Sequence, residues 1–226
     1  MISTDNFDSR ALRYTDAYGQ RFMRRGTYRY NLVTAGTGQM GEHPAYTINV
    51  EECDEDHKMK QYYVNVLHDD EGFKPDDPEI TIQVGDLVLW SCRQPTAPPF
   101  EVVGDREFFG SAKLVNECGY AHAFGTPGEY HWTDANAGKL SGVVKVRNPK
   151  CESQKDLATW QKQLTKGALV LITDTIAEPA KIEIITGQTV YFAIVKCGGV
   201  SITDSRCVDA SNAIRDDLEA HGYCEK

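Results

Sequence analysis

The chain has 226 residues, 41% of them hydrophobic and 25% charged, with 33 acidic against 24 basic side chains and a formal charge of −9. That length suits about two compact domains, and no apolar run approaches the ~18 residues of a membrane span, so a globular protein without a membrane partner is expected. The acidic balance, with a pI near 5.2, argues against nucleic acid as a partner, since phosphate backbones are met by clustered Lys and Arg.

The N-terminal MISTDNFDSR lacks the apolar centre of a secretory signal. The 7 cysteines are odd in number and show no CxxC spacing, which predicts reduced thiols and an intracellular, cytoplasmic or cytoskeletal protein; a fragment of a longer precursor would instead be secreted. From Phe7 onward the chain repeats itself with an offset of 102 residues: Phe7/Phe109, Ser9/Ser111, Leu12/Leu114, Tyr18/Tyr120, Phe22/Phe124, Gly26/Gly128 and Tyr28/Tyr130 coincide, and Tyr30 falls on Trp132. The same offset links ITIQVGDLVLW from Ile80 to IEIITGQTVYF from Ile182, matching Gly85 with Gly187 and Trp90 with Phe192. Aromatic and Gly identities at constant phase indicate a repeated structural unit, and this phase has the chain opening and closing in mid-unit.

Arg21, Arg24, Arg25 and Arg29 cluster near the N-terminus, where a solvated face is expected and an acidic partner is the alternative. Glu51 to His57 is too acidic to bury and reads as a linker. Tyr62 to Leu67, Ile80 to Trp90 with a turn at Gly85-Asp86, Gly128 to Trp132 and Gly142 to Val146 all alternate apolar and polar residues between Pro and Gly clusters. This is the pattern of short antiparallel strands in a sandwich or barrel. The alternation assigns Trp90, Phe124, Tyr130 and Trp132 to the core and turns His131 outward. Helices are expected at Glu152 to Lys166, with Leu157, Trp160 and Leu164 on one face, and at Asp209 to His221, with Ile214 and Leu218 together; Gly167 and Gly222 close them.

The order of elements resembles the cupredoxin family of plastocyanin and its relatives: ITIQVGDLVLW, a Pro-rich loop, an aromatic followed by Gly-Ser and Leu, then GTPGEYHW and a terminal SGVVKV. The resemblance implies an all-β, Greek-key β-sandwich in one complete and two complementary half units. Residues 1–52 would form the C-terminal half of a unit, 59–149 a complete domain, 150–166 a helical linker, and 167–226 an N-terminal half with a C-terminal helix. Family members hold copper with two His, one Cys and a weak axial Met, a donor set suited to both oxidation states. At those positions this chain carries Phe100, Asp134, Asn136 and Leu140. In the half units the Cys position holds Leu32 and the His position falls around Val200 or Ser201. Copper at the family site is therefore not expected.

Cys53 to His57 and His68-Asp69-Asp70 offer donor types suited to a transition metal, but their spacing matches no ligand motif, and a solvated linker is the expected reading. No GxSxG elbow, HExxH helix or phosphate loop occurs. No cofactor, metal or catalysis is expected. Half a sandwich leaves an apolar face and unpaired edges, so the segment from Phe7 to Val50 is expected to pack against that from Gly167 to Cys207, within a chain or head to tail into a filament. The expected function is that of a copper-free structural or scaffolding protein acting through self-association or a larger protein assembly. The alternatives are a metal redox protein with ligands outside the family positions and a small-ligand binding domain.

Overall fold

The structure is a computed structural model describing residues 6–37, 45–54, 56–105, 109–136 and 140–220, without the side chains of 214 and 216–220. Strands far outnumber helical residues, an all-β class with two helices. The first copy of the repeat supplies β1 (Asp16–Arg21), β2 (Gly26–Thr34), β3 (Tyr46–Glu51), β4 (Gln61–Asp69), β5 (Gly72–Pro75), β6 (Glu79–Gln83), β7 (Leu87–Cys92) and β8 (Phe100–Gly104). The second supplies β9 (Cys118–Ala123), β10 (Gly128–Thr133), β11 (Ser141–Arg147), helix α1 (Gln154–Leu164), β12 (Ala168–Thr173), β13 (Ala177–Glu178), β14 (Lys181–Ile185), β15 (Thr189–Lys196) and β16 (Thr203–Asp204), followed by helix α2 (Ser205–Ala220).

One eight-stranded sheet, β13-β12-β15-β9-β1-β7-β4-β5, spans both copies, and two four-stranded sheets, β6-β3-β2-β8 and β14-β11-β10-β16, complete a sandwich at each end. The seam is the antiparallel pair β1–β9, in which Tyr18 faces Tyr120 and Gly19 faces Gly119. Directly paired residues point to the same side of a sheet. The buried Tyr18, Trp90, Tyr120 and Phe192 therefore share one face of the long sheet, and both smaller sheets lie on that side.

This topology corrects the division of the chain. The segment 59–149 is not one sandwich: β7 pairs with β4 and β1 rather than with β9, while β9 pairs with β1 and β15. Likewise β2 and β3 pair with β8 and β6, so the piece from Phe7 to Val50 is completed by strands of residues 61–104 and not by Gly167 to Cys207. The physical reason is that β1 and β9 each carry a buried Tyr between two small residues, Ala17-Tyr18-Gly19 and Gly119-Tyr120-Ala121, so a sequence pattern alone does not distinguish which of them fills the place beside β7. The repeating unit runs from Phe7 to Gly104 and again from Phe109 to Asp204, and both halves of each sandwich lie in one chain. The Gly85-Asp86 turn also differs from a hairpin. It carries the chain from β6 in one sheet to β7 in the other, with Gly85 at φ +95, where glycine alone is unstrained.

The exception to this division is a reciprocal exchange ahead of β1 and β9. The ring of Phe7 enters the second sandwich, 5.3 Å from Phe124, 6.5 Å from Tyr130 and 6.3 Å from Phe192. Phe109 enters the first, 5.4 Å from Phe22 and 5.9 Å from Trp90. Backbone bonds repeat the exchange: Asp204 N donates to Phe7 O at 2.8 Å and Gly104 N to Phe109 O at 3.0 Å. The hydroxyls of Ser9 and Ser111 accept from Ile202 N and Val102 N, each at 3.1 Å. Each sandwich core is thus closed by an aromatic ring from the other copy.

Trp90, Phe124, Tyr130 and Trp132 are all buried, and His131 is exposed beside Glu129. Helix α1 begins where Ser153 Oγ accepts from Asp156 N at 3.2 Å, the N-cap arrangement of Ser and Asp. It docks on the β14–β15 turn, where Trp160 Nε1 donates to Thr186 O at 3.0 Å. Helix α2 begins four residues earlier than the expected Asp209, because Asp204 Oδ1 accepts from Arg206 N and caps it there. Gly222 and the side chains of Ile214 and Leu218 lie outside the described residues.

Candidate functional site

The positions matching the family's copper ligands do not converge. Phe100 sits on β8 in the first sandwich, fully buried and exchanging backbone bonds with Leu12. Asp134, Asn136 and Leu140 lie at the β10–β11 end of the second sandwich, and Asp134 is approached there by Ser201, the residue placed near the His position of the last half unit. Asp134 Oδ1 accepts from Ser201 N and Asn136 N at 3.0 Å each, with Ser201 Oγ at 3.5 Å. Asp134 N donates to the carbonyl of buried Leu140 at 2.9 Å. Asn136 is exposed and donates through Nδ2 to Ala112 O at 3.3 Å. At the matching place in the first sandwich Leu32 and Phe100 are both buried hydrocarbon. The carboxylate thus serves to tie two loops together, and among the described residues no group of three or more His, Cys, Asp or Glu gathers around a common point.

A second constellation was not singled out from the sequence. At the seam, Asp16 is 3% and His122 2% exposed. Asp16 Oδ1 accepts from Tyr120 OH at 2.7 Å and lies 2.6 Å from His122 Nδ1, while Oδ2 accepts from Arg13 N at 2.8 Å. Burial, and then the Asp16 charge, push the Tyr120 hydroxyl well above its ordinary value, so it stays a donor. The imidazole packs between Phe7 and Phe124, with centroids 5.3 and 4.6 Å away, and borders a small cavity of about 150 Å³ beside Thr15 and Thr126. A carboxylate orienting an imidazole is half of a nucleophile-activating arrangement, but no hydroxyl or thiol among the described residues bonds to Nε2. The pair acts as a polar tie between the copies. Its signal in the sequence is that Cys118, Tyr120 and His122 alternate with Gly119 and Ala121; small residues outward imply that the larger ones, histidine included, face in.

Corresponding positions across the seam hold Gln20 and Cys118. Tyr18 OH donates to Gln20 Oε1 at 3.0 Å, and Gln20 Nε2 donates to the carbonyl of Arg21 at 3.0 Å. Burial pushes the thiols of Cys118, Cys197 and Cys207 up, the reverse of what an attacking thiolate needs. The linker from Glu51 also departs from expectation at its end: the His57 ring is 5% exposed, with Nε2 2.8 Å from Asp86 Oδ1. The linker is thereby pinned to the Gly85-Asp86 turn rather than solvated throughout.

A broad exposed feature is the outer face of the eight-stranded sheet. One row across the strands reads Tyr63, Leu89, Gly19, Gly119, Ala193 and Leu171 through the paired registers. The next row adds Tyr191 and Leu169 around Ala17 and Ala121. Across these six strands neither row contains a charge; on the edge strand β13 the first row continues to the exposed Glu178. Tyr63 is 68%, Leu169 50% and Leu171 44% exposed. A Cβ on Gly119 would meet the Tyr191 ring at 2.3 Å, so that ring lies flat over the seam. Strands ~4.8 Å apart make this uncharged band roughly 25 Å wide.

No helix among the described residues is long and apolar enough to cross a membrane. Comparison with protein-family models, curated proteins and solved structures finds no match to this chain.

Proposed function

We propose that the protein is a non-catalytic, copper-free, cupredoxin-like structural protein that works by protein–protein association through the outer face of its eight-stranded sheet. The observation that carries this reading is the uncharged band described above. Apolar sheet faces of this breadth are normally covered, and an uncovered one marks an interaction surface. The cupredoxin-like part rests on the sequence resemblance alone, whose Gly-Asp turn lies in the first sandwich and whose Pro-Gly-x-Tyr turn and Gly-x-Val-x-Val strand lie in the second.

The partner is a second copy of the chain. The band repeats itself about the seam, with Tyr63 and Leu89 on one side and Leu169 and Tyr191 on the other, so it suits an isologous, closed pair. A filament built on half units has no basis here because each sandwich is completed within one chain. The sheet edges are also poor templates for addition: β5 has four residues ending in Pro75, and β13 has two.

Molar mass measured against concentration tests this. A dimer is expected for the native chain, and monomer at the same concentration for Leu169→Lys/Leu171→Lys with its unfolding midpoint unchanged. A native chain that stays monomeric to about 1 mM, or a dimer indifferent to both lysines, would sink the reading.

A further inference from the structure

Each copy turns from the first to the second strand of its sandwich in the same way. Tyr28 OH donates to Arg24 O at 2.9 Å and Tyr130 OH to Thr126 O at 2.8 Å, so the turn is locked alike in both. The spaces beside these two turns differ greatly. In the second copy the space is about 150 Å³. In the first it is an open cleft of about 960 Å³ walled by Arg21, Arg24, Arg25 and Arg29 over Phe22, Tyr28 and Phe109. The positions corresponding to the four arginines in the second copy are Ala123, Thr126, Pro127 and His131. That copy builds the same turn without them, so the arginines are not there to form the fold.

Their charges are largely uncommitted. Arg21 donates to Gly85 O, a neutral acceptor. Arg25 reaches Glu52 at 3.9 Å, with both side chains more than three-quarters exposed, an arrangement of little strength. Arg24 and Arg29 make no ion pair among the described residues. Among the described residues, Asp105 and Glu117 also line the cleft, which leaves positive charge in excess there. Planar guanidinium groups match phosphate oxygens two at a time. Below them, Tyr28 is half-buried with its ring 4.9 Å from Phe22, and Met23 is exposed at the wall, which offers an apolar surface to a planar group.

We infer that this cleft binds a small molecule carrying a polyphosphate and a planar apolar group, a nucleotide being the simplest representative. The size fits, since drug-sized ligands occupy about 300–1,000 Å³. The chain's formal charge of −9 also favours a ligand contained within the cleft over a long polyanion, which would meet repulsion beyond it.

Calorimetric titration of the full chain with pyrophosphate and with adenosine triphosphate tests the assignment. One site per chain is expected, with a dissociation constant of about 1 mM or below and the nucleotide binding more tightly than pyrophosphate. Arg24→Thr/Arg25→Ala should weaken both by at least about tenfold. Lys162→Glu/Lys166→Glu, on and just after α1, changes the overall charge more and should leave both within about twofold. Arg29→His, the residue of the second copy, supplies an independent variant should the double one fail to fold. Absence of saturable binding, equal loss in the α1 control, or affinity undiminished by the arginine changes would overturn the proposal. Binding seen only with single-stranded oligonucleotides and rising with their length would overturn it in favour of nucleic acid.

Discussion

The two copies keep one backbone plan and differ at the seam. On one side of β1–β9 a buried carboxylate holds an imidazole and a phenol, and the adjoining space is small. On the other, Gln20 satisfies backbone carbonyls, Cys118 is buried beside it, and the adjoining space opens into an arginine-lined cleft. The shared parts are those that geometry demands: the Phe exchange, the Ser9 and Ser111 hydroxyls, and the tyrosine-locked turns. The divergent parts are those that the fold tolerates in more than one form, and these are the places to look for function.

The comparison breaks first at the exchanged rings. Phe7→Ala and Phe109→Ala should each cost about 3–5 kcal/mol, as large core truncations do, and crosswise: hydrogen exchange should quicken in β10 and β15 for Phe7→Ala and in β2 and β7 for Phe109→Ala. Each substitution loosening its own copy would refute the exchange. Trp90→Ala, at a fully buried site in contact with Phe109, belongs to the same range, measured by denaturant unfolding.

At the seam, Asp16→Ala strands the buried donors of Tyr120, His122 and Arg13 and is expected to cost about 2–4 kcal/mol. Pairing Asp16→Cys with His122→Gln, which copies the other side of the seam, should recover more than half of the loss caused by Asp16→Cys alone. Additive losses in that double-mutant cycle would mean that the two sides are not interchangeable.

The smallest effect concerns pH. Burial by itself would raise the Asp86 carboxyl, but the N–H groups of Lys60 and Gln83 and the His57 ring outweigh it and hold the group below its ordinary 3.8. Its contribution to stability is therefore complete above that ordinary value and is lost as pH falls through the lower folded one. Gln188 occupies the corresponding turn of the second copy, with Oε1 accepting from Ile185 N at 2.8 Å, and does not titrate. Asp86→Asn should accordingly flatten the fall of the unfolding midpoint below about pH 4; a profile as steep as that of the native chain would assign the acid sensitivity to other carboxylates.

Strand positions and the buried aromatics were legible because alternation reports burial directly: Tyr130 and Trp132 are buried and the intervening His131 is exposed. Which strands share a sandwich was not legible, because β1 and β9 each present a buried Tyr between two small residues and either pattern satisfies β7. The 102-residue offset was visible, but a constant offset leaves the starting point of the unit open, and the exchange of Phe7 and Phe109 places that point outside any single sandwich. The seam network escaped notice because Asp16 and His122 are far apart in the chain and become neighbours through pairing of the two copies. The arginines stood out as a run, yet a run looks the same on a solvated face as around a cleft; what separates the two readings is the third dimension and the contrast with Ala123, Thr126, Pro127 and His131.

The crosswise seating of Phe7 and Phe109 has a consequence for how such a molecule can change. Two separate identical subunits trading the same segments would meet every substitution twice, once in each partner, so an arginine good for one cleft would be imposed on both. With both copies written in one chain, a substitution strikes once, while the mutual trade of aromatic rings still keeps either sandwich from drifting away from its twin. Symmetry is thereby enforced in the skeleton and released at the surface, which is how one side of the seam can be sealed by an imidazole while the other stands open and positively charged.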